Sequence, residues 1–589
     1  MIMRSVFKHV SLVGIVLITS LSSNTFATVK LPVEDREPEA ATGFTQKNSV
    51  SGKEFMIAAA NPYASQAGFN ILARGGSAVD ASIAVQLVLT LVEPQSSGIG
   101  GGAFILHWDK SNQHLTTFDG RETAPKAVTG DMFLDKQGKK IPWIKAVVGG
   151  RSVGVPGVLK ALKKAHEQYG VLSWQELFAD AIKLAEYGFV VSPRLEKLIA
   201  MEFNPGVSQL SETKNYFFPE GIPVKAGALL KNKKLANVYR SLAKDGIEPF
   251  YHGWLAKKIV SAVQKSEVAP GVLTLDDLNN YQAKQIPAIC GGYHQYNVCG
   301  MAPPSSGGVA VIQTLGQLES FNLSQYKAND LQAVHLFAQS SRLAFADRDK
   351  YIADNDFVNV PVNGLIDKGY LAKRAKLINK SQDMGKALAG NPEGALVQAN
   401  DLAYEMPSTS HISIVDSKGN AVSMTTSIEM AFGSAVMVEG FILNNQLTDF
   451  SLAPQANGLP IANRVEPLKR PRSSMAPTMI FNQDKSLKLV VGSPGGSRII
   501  NYVTQTIIGV LDWQLDPQSA INLPKVTNRN KVTTLEKHTN IEQLKTGLES
   551  KGHKVSIGNL NSGLHAIEVN KNGLLGGADP RREGKVLAK

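Results

Sequence analysis

Thr409-Ser-His-Ile-Ser-Ile-Val415, then Asp416-Ser-Lys-Gly-Asn420, then Ala421-Val-Ser-Met-Thr-Thr-Ser427: two runs that alternate polar and apolar side chains flank a polar turn, with glycine where a left-handed backbone is wanted. Alternation with period two predicts strands, and the turn joins them as a β-hairpin. Lys418 sits at its centre, nine residues from Thr409 on one side and from Ser427 on the other, so the two hydroxyls should face each other. A one-residue slip or a bulge would break that pairing. The hydroxyl cluster Ser408, Thr409 and Ser410 fits either a polar strand entry or a reacting group.

Upstream, the polar Gly- and Pro-containing segment 386–407 marks a boundary where helical periodicity gives way to strand alternation. Before it, helix and strand signals alternate without internal repeats. Ser173 and Glu176 form a capping box for a helix whose apolar face is Leu177, Ala181, Leu184 and Ala185, ended by Gly188. A second helix is predicted to start at an Asn329 cap and to bury Val334, Phe337, Ala338, Ser341 and Phe345, with His335 as a packed or solvated residue. Cys290 and Cys299 face each other if His294 and Gln295 form a two-residue turn, and an oxidising compartment would permit their bond.

The N-terminus supplies that compartment. Arg4 and Lys8 precede an apolar stretch, 10–21, and a small-residue site ends at Thr25-Phe26-Ala27. This is a cleaved signal-peptide pattern covering 1–27, with the mature chain from Thr28. Ser11, Thr19 and Ser20 interrupt a stretch already too short to cross a bilayer, so no membrane span is expected after cleavage and the location is periplasmic or secreted. The chain of 589 residues, 43% hydrophobic and 19% charged, is long enough for two cores or one large layered one. Its net charge of +12 comes from scattered lysines, without the concentrated basic face that nucleic acid would need. Eleven histidines show no metal-ligand spacing, and no Walker lysine accompanies the glycine turn at 492–496, so no metal or cofactor is expected.

The segment 409–422 resembles the small-subunit start of γ-glutamyltranspeptidases. Other segments similar to that family follow in order: Gly75-Gly-Ser-Ala-Val-Asp80, Glu93-Pro-Gln-Ser-Ser-Gly-Ile-Gly-Gly-Gly102, Arg121-Glu122, Pro303-Pro-Ser-Ser-Gly-Gly308 and Asp347-Arg348. After the boundary come Leu443-Asn-Asn-Gln-Leu-Thr-Asp-Phe450, Arg470-Pro-Arg-Ser-Ser-Met475, Gly492-Ser-Pro-Gly-Gly496 and Gly577-Ala-Asp-Pro-Arg581. The resemblance implies an α+β fold, the αββα sandwich of N-terminal-nucleophile hydrolases. A large fragment, 28–408, and a small one, 409–589, cut from one precursor, would share it as a heterodimer.

What the resemblance implies about chemistry has a physical reason. A threonine inside a chain has a hydroxyl but no amine, whereas an N-terminal threonine carries an α-amino group with an ordinary pKa of about 7.7 to 8.0, suited to general-base work. The Thr409 hydroxyl would attack the Ser408 carbonyl, form an ester by N-to-O shift, and release the fragments on hydrolysis. The same oxygen would then take the γ-glutamyl group of glutathione or another γ-glutamyl compound and pass it to water or to an acceptor amino acid or peptide. By motif position, Ser427 orients the nucleophile and Gly495 and Gly496 supply the oxyanion hole. Arg121 grips the α-carboxylate with help from Ser473 and Ser474, and Glu429, Gln446 and Asp449 hold the α-ammonium. The strand 488–491 running into a glycine turn and a helix from Ser497 supports the oxyanion role, because such a junction is electropositive.

Three departures from the family pattern stand out: Ser427 where many members have threonine, Glu429 where several have asparagine, and a short, tyrosine-free 451–469 where some have a lid. The last predicts an open cleft, and with it a second reading as an acylase of glutaryl-cephalosporin type. A third reading, from another class, is a non-catalytic periplasmic binding protein with the same fold.

Overall fold

The computed structural model describes Ala41 and residues 43–589 except Leu402, Tyr404 and Pro407. The signal peptide expected over 1–27 and the expected start at Thr28 lie outside the described residues.

Two seven-stranded sheets, each antiparallel throughout, carry the chain. The first runs Lys585–Ala588, Met56–Ala59, Ser410–Val415, Ala421–Ser427, Gly102–Asp109, His114–Asp119, Lys284–Ile286. The second runs Val50–Gly52, Gly573–Ala578, His565–Asn570, Leu487–Gly492, Thr478–Phe481, Tyr296–Gly300, Ile289–Tyr293. Strand periodicity explains how they stack. On Met56–Ala59, Ile57 and Ala59 join the core beneath the helices Pro62–Ala73 and Ala78–Val92, whereas Met56 and Ala58 join the core shared with the second sheet. The helices Gly307–Leu318, Leu331–Tyr351 and Ile499–Leu511 cover the other side of the second sheet. The order helices, sheet, sheet, helices is the αββα sandwich expected from the resemblance.

Local details follow the sequence in most places and correct it in some. Ser173 and Glu176 do form a capping box, yet the first turn, Trp174–Phe178, is a 3-10 helix, and the α-helix proper is Ala179–Tyr187, closed by Gly188 at φ 100°. Asn329 is not the cap of the next long helix. It turns the chain at φ 56°, and Asp330 caps Leu331–Tyr351 by accepting from the Gln332 N–H. Aspartate does the same capping chemistry one residue later. His335 is fully buried there and bonds His553 at 2.7 Å, a packed residue. The strands Ile289–Tyr293 and Tyr296–Gly300 pair Cys290 with Cys299 across the His294-Gln295 turn, and the two are disulfide-bonded. Among the described residues no helix is long and apolar enough to cross a membrane.

Candidate active site

The hairpin is the innermost feature of the first sheet. Its register pairs Ser410 with Thr426 and Val415 with Ala421, which sets Thr409 opposite Ser427 as the turn predicts. Ile412, Ile414, Val422 and Met424 point to the helix side and are fully buried, each contributing roughly 1.5–3 kcal/mol. The alternate residues therefore face the second sheet. Ser413 Oγ donates to the His565 carbonyl at 3.2 Å and Ser423 Oγ to the Val491 carbonyl at 3.2 Å. Between them His411 bonds Thr425 Oγ1 at 2.9 Å and Ser413 Oγ at 3.0 Å, and burial holds its pKa well below the ordinary value, so the ring is neutral. Gly492 opposes that ring: a Cβ there would lie 2.2 Å from His411 Cε1. The strand pair thus delivers Thr409 and Ser427 to one end of the seam between the sheets.

At that end the Ser408–Thr409 peptide is intact and buried. Thr409 Oγ1 is hydrogen-bonded to the Ser408 carbonyl oxygen and lies 3.4 Å from Ser427 Oγ. Ser427 Oγ also reaches the Ser408 oxygen, at 3.0 Å, and accepts the Glu429 N–H at 2.8 Å. Ser408 Oγ donates to the Gln95 carbonyl at 2.7 Å, anchoring the other side of the bond.

A cavity of about 20 Å³ adjoins these groups, lined among others by Arg121, Glu429, Gln446, Asp449, Ser473, Ser474 and Gly496. All but one of the residues expected at the site therefore meet there; Gly495 does not line it. Its turn is nevertheless built as expected. Strand Leu487–Gly492 leads to Gly495 at φ 134° and Gly496 at φ 55°, then to a 3-10 turn, Gly496–Arg498, and the helix from Ile499 rather than Ser497. The first bond of that turn is Arg498 N–H to the Gly495 carbonyl, so the Gly495 and Gly496 N–H groups precede the helical ladder.

Arg121 departs from its simplest expectation. Its guanidinium is fully buried and donates to Asp449 Oδ2 at 2.5 Å and to the Pro471 and Arg472 carbonyls at 3.1 and 2.7 Å. The residue expected to hold a carboxylate thus pairs with one expected to hold an ammonium. Arg121 Nη1, Glu429 Oε1, Gln446 Oε1 and Asp449 Oδ1 are buried without a hydrogen-bond partner. A guanidinium N–H on the one hand and carboxyl and amide oxygens on the other are the kinds of group that suit the carboxylate and ammonium of a zwitterion. Burial and the neighbouring Asp449 push the Glu429 pKa well above the ordinary range, and Asn445 Nδ2 bonds its other oxygen at 2.6 Å. Burial likewise raises Asp449, to about 6, against the opposing Arg121 charge. Glu122 sits beside Arg121 at 3.7 Å with its pKa pushed up to about 8 by burial.

The open cleft predicted from the short 451–469 segment is not what the structure has. Ala399 N–H donates to the Pro460 carbonyl at 3.0 Å and Asn463 donates to Asp401 at 2.9 Å, so two residues ahead of Thr409 are tied to that segment. Glu405 is held as well. Its carboxylate is bonded by Arg348 and Ser474 and lies 3.3 Å from Arg472 Nη2. Burial opposes its charge, but the two guanidinium groups and the hydroxyl outweigh that and hold it low, at about 2. Sequence reading assigned no role to Glu405, Arg348 or Arg472, although Asp347-Arg348 and Arg470-Pro-Arg lie inside the quoted motifs. The two-sided charge in those motifs was the available signal. A larger hollow, about 870 Å³ beside the disulfide hairpin, is lined by Trp108, Ile286, Tyr296 and Phe481 and holds none of these groups.

An αββα sandwich with a hydroxyl residue at the head of a central strand, beside a glycine turn and a charged pocket, defines an N-terminal-nucleophile hydrolase fold. Residues 64–589 match the family described as gamma-glutamyltranspeptidase, and the chain belongs to that family. It is 37% identical to the glutathione hydrolase proenzyme of Bacillus subtilis (strain 168), covering 97% of this chain and 98% of that protein. Among solved structures it resembles a cephalosporin acylase from Bacillus halodurans with a TM-score of 0.82 and 28% identity, over 94% of this chain and 99% of the other. It also resembles Helicobacter pylori gamma-glutamyltranspeptidase, with a TM-score of 0.56 and 33% identity, over 60% of this chain and 99% of the other.

Proposed function

We propose that the chain is an exported proenzyme that cuts its own Ser408–Thr409 bond and then hydrolyses or transfers γ-glutamyl groups, with Thr409 as nucleophile. The observation that carries this reading is the pair of hydroxyls on one carbonyl: Thr409 Oγ1 and Ser427 Oγ both reach the Ser408 oxygen. Attack by Thr409 Oγ1 on the Ser408 carbon forms a new C–O bond. Collapse breaks the C–N bond and gives the nitrogen a proton, and water then cleaves the ester, leaving 28–408 as one fragment and 409–589 as the other.

In the cut enzyme the new α-amine takes the Thr409 hydroxyl proton as the oxygen attacks a γ-carbonyl. The amide nitrogen leaves protonated, and water or an amine acceptor removes the acyl group. Gly496, with Gly495 behind it, offers N–H groups to the developing oxyanion, each such donor being worth about 2.7–4 kcal/mol. Arg121, Ser473 and Ser474 take the donor's α-carboxylate, while Glu429, Gln446 and Asp449 take its ammonium. The relative named glutathione hydrolase supports glutathione as a donor.

Intact-mass measurement of the purified chain, with a γ-glutamyl-anilide hydrolysis assay, tests the reading. Two fragments, the smaller starting at Thr409, are expected, and Thr409→Ala should give one uncut, inactive chain. A single intact polypeptide that still turns over the donor overturns it, and a single inert one favours the binding-protein reading. The likeness to a cephalosporin acylase supports a second reading, deacylation of glutaryl amides, which parallel assays with glutaryl and γ-glutamyl anilides separate.

A further inference from the structure

The strand Ile289–Tyr293 is the edge of the second sheet, and Lys284–Ile286, two residues before it, is the edge of the first. Register fixes which way the edge disulfide points. Cys290 lies opposite Cys299, Cys299 opposite Met479, and Asn297 opposite Phe481, whose ring meets Trp108 of the first sheet with 4.6 Å between centroids. Residues paired across strands share a face, so the disulfide and Asn297 point between the sheets. The hollow of about 870 Å³ lies at that place, and both cysteines line it.

The two sulfurs differ in access. Cys290 is exposed, whereas Cys299 is only 2% exposed and accepts a hydrogen bond from Asn297 Nδ2 at 3.6 Å. A disulfide opens when a thiolate attacks one sulfur and the other departs as thiolate, so access selects the sulfur attacked, and a hydrogen-bond donor on the other favours its departure. Here access singles out Cys290 for attack, and the amide favours Cys299 as the group that departs. The hollow suits the attacking molecule. Its volume falls within the roughly 300–1,000 Å³ usual for small-molecule sites. No aspartate or glutamate is among the residues lining it, whereas Lys485 and His114 are, with the amides of Gln113 and Gln295 and the apolar surface of Ile286 and Phe481. That is a setting for a small peptide bearing a carboxylate.

We propose that the Cys290–Cys299 bond is a thiol-exchange site, at which a small thiol peptide held in the hollow becomes disulfide-bonded to Cys290. The peptide's thiolate sulfur bonds to Cys290 Sγ, the Cys290–Cys299 bond breaks, and its electron pair leaves on Cys299 Sγ beside the Asn297 amide. The proton of the incoming thiol goes to solvent, and one disulfide replaces another, so no oxidant or reductant is needed. Return of Cys299 Sγ onto Cys290 releases the peptide and restores the staple. The inference is independent of the γ-glutamyl reading, although glutathione and the cysteinyl-glycine that its hydrolysis leaves are thiols of this kind.

The test uses cysteinyl-glycine, which has no γ-glutamyl bond to lose, and cysteamine, a thiol without a carboxylate. The folded protein is incubated with each, quenched with N-ethylmaleimide and peptide-mapped by mass spectrometry, and the urea-unfolded chain gives the intrinsic reactivity of the two thiols. Cysteinyl-glycine is expected on Cys290 with maleimide on Cys299. Folding should raise its rate relative to cysteamine about two- to fivefold, the size of one exposed ion pair, and Lys485→Gln should abolish that preference. Asn297→Ala should slow the exchange about two- to tenfold, the worth of one net hydrogen bond. A folded protein whose disulfide stays untouched, an adduct on Cys299, or the same thiol preference folded and unfolded overturns the proposal, as does unchanged exchange in Asn297→Ala. Both substituted residues are exposed; should either variant fail to fold, the wild-type map and thiol preference decide alone.

Discussion

The Ser427 hydroxyl stands 3.0 Å from the carbonyl oxygen of Ser408, the residue on the far side of the bond from its strand partner Thr409. In the proposed cut, Ser427 would polarise that carbonyl while Thr409 attacks it. Ser427→Ala should slow the appearance of the two fragments by about 10- to 1000-fold, the range expected for losing a donor to a developing oxyanion. Ser427→Thr, which keeps the hydroxyl, should process within a few-fold of wild type. A gel time course of freshly purified precursor reads both, and unaltered processing in Ser427→Ala removes the assigned role.

Donor affinity should depend on pH through the acid pair. Burial raises Asp449 to about 6 and Glu429 well above the usual carboxylate range. An ammonium is held by the ionised form, so KM should fall as pH rises through about 6, the protonated and weaker-binding form prevailing below it. Part of the Asp449 shift comes from the nearby Glu405 charge. Steady-state KM between pH 4.5 and 8 checks the direction; a KM that rises over this range contradicts it.

Arg121→Ala removes the partner of buried Asp449 and leaves two carboxyl groups uncompensated. Breaking such a pair costs about 3–5 kcal/mol of stability. The same change should raise KM for γ-glutamyl donors more than it lowers kcat. Thermal melts and steady-state kinetics on the one variant measure the two effects, and unchanged KM in a folded variant counts against the carboxylate role.

Gly492→Ala should destabilise without touching the reacting groups. The added Cβ meets the His411 ring at 2.2 Å, between two sheets that have no room to part. Overpacking of this kind costs about 1–3 kcal/mol, measurable as a lowered urea midpoint. Relief by His411→Ala in the double variant would trace the strain to that contact.

The hairpin, its register and the Thr409–Ser427 pairing were legible because strand alternation and a glycine turn are local: the turn centres the pairing, and a one-residue slip would take Ile412 and Ile414 off the core. The disulfide was legible for the same reason, as a two-residue turn fixes its pairing. Capping was readable to within one residue: Asn329 and Asp330 are both capping types, and only the left-handed turn at Asn329 decides between them. The cage around Glu405 was not readable. It joins residues 348, 405 and the pair 472 and 474, from three distant stretches, and whether an arginine there is solvated or buried depends on packing that sequence does not display. The Arg121–Asp449 pair was half legible, since both residues were chosen but for opposite ends of a ligand.

Each sheet interleaves strands from both sides of residue 408: Ser410–Val415 lies against Met56–Ala59, Ala421–Ser427 against Gly102–Asp109, and Thr478–Phe481 against Tyr296–Gly300. After the proposed cut, unfolding would yield two molecules that must find each other again, so renaturation would acquire a concentration dependence that the uncut chain does not have. A chain cut as proposed would assemble as one polymer and persist as two, and a thermal scan of it would measure the rate of a one-way departure rather than a balance.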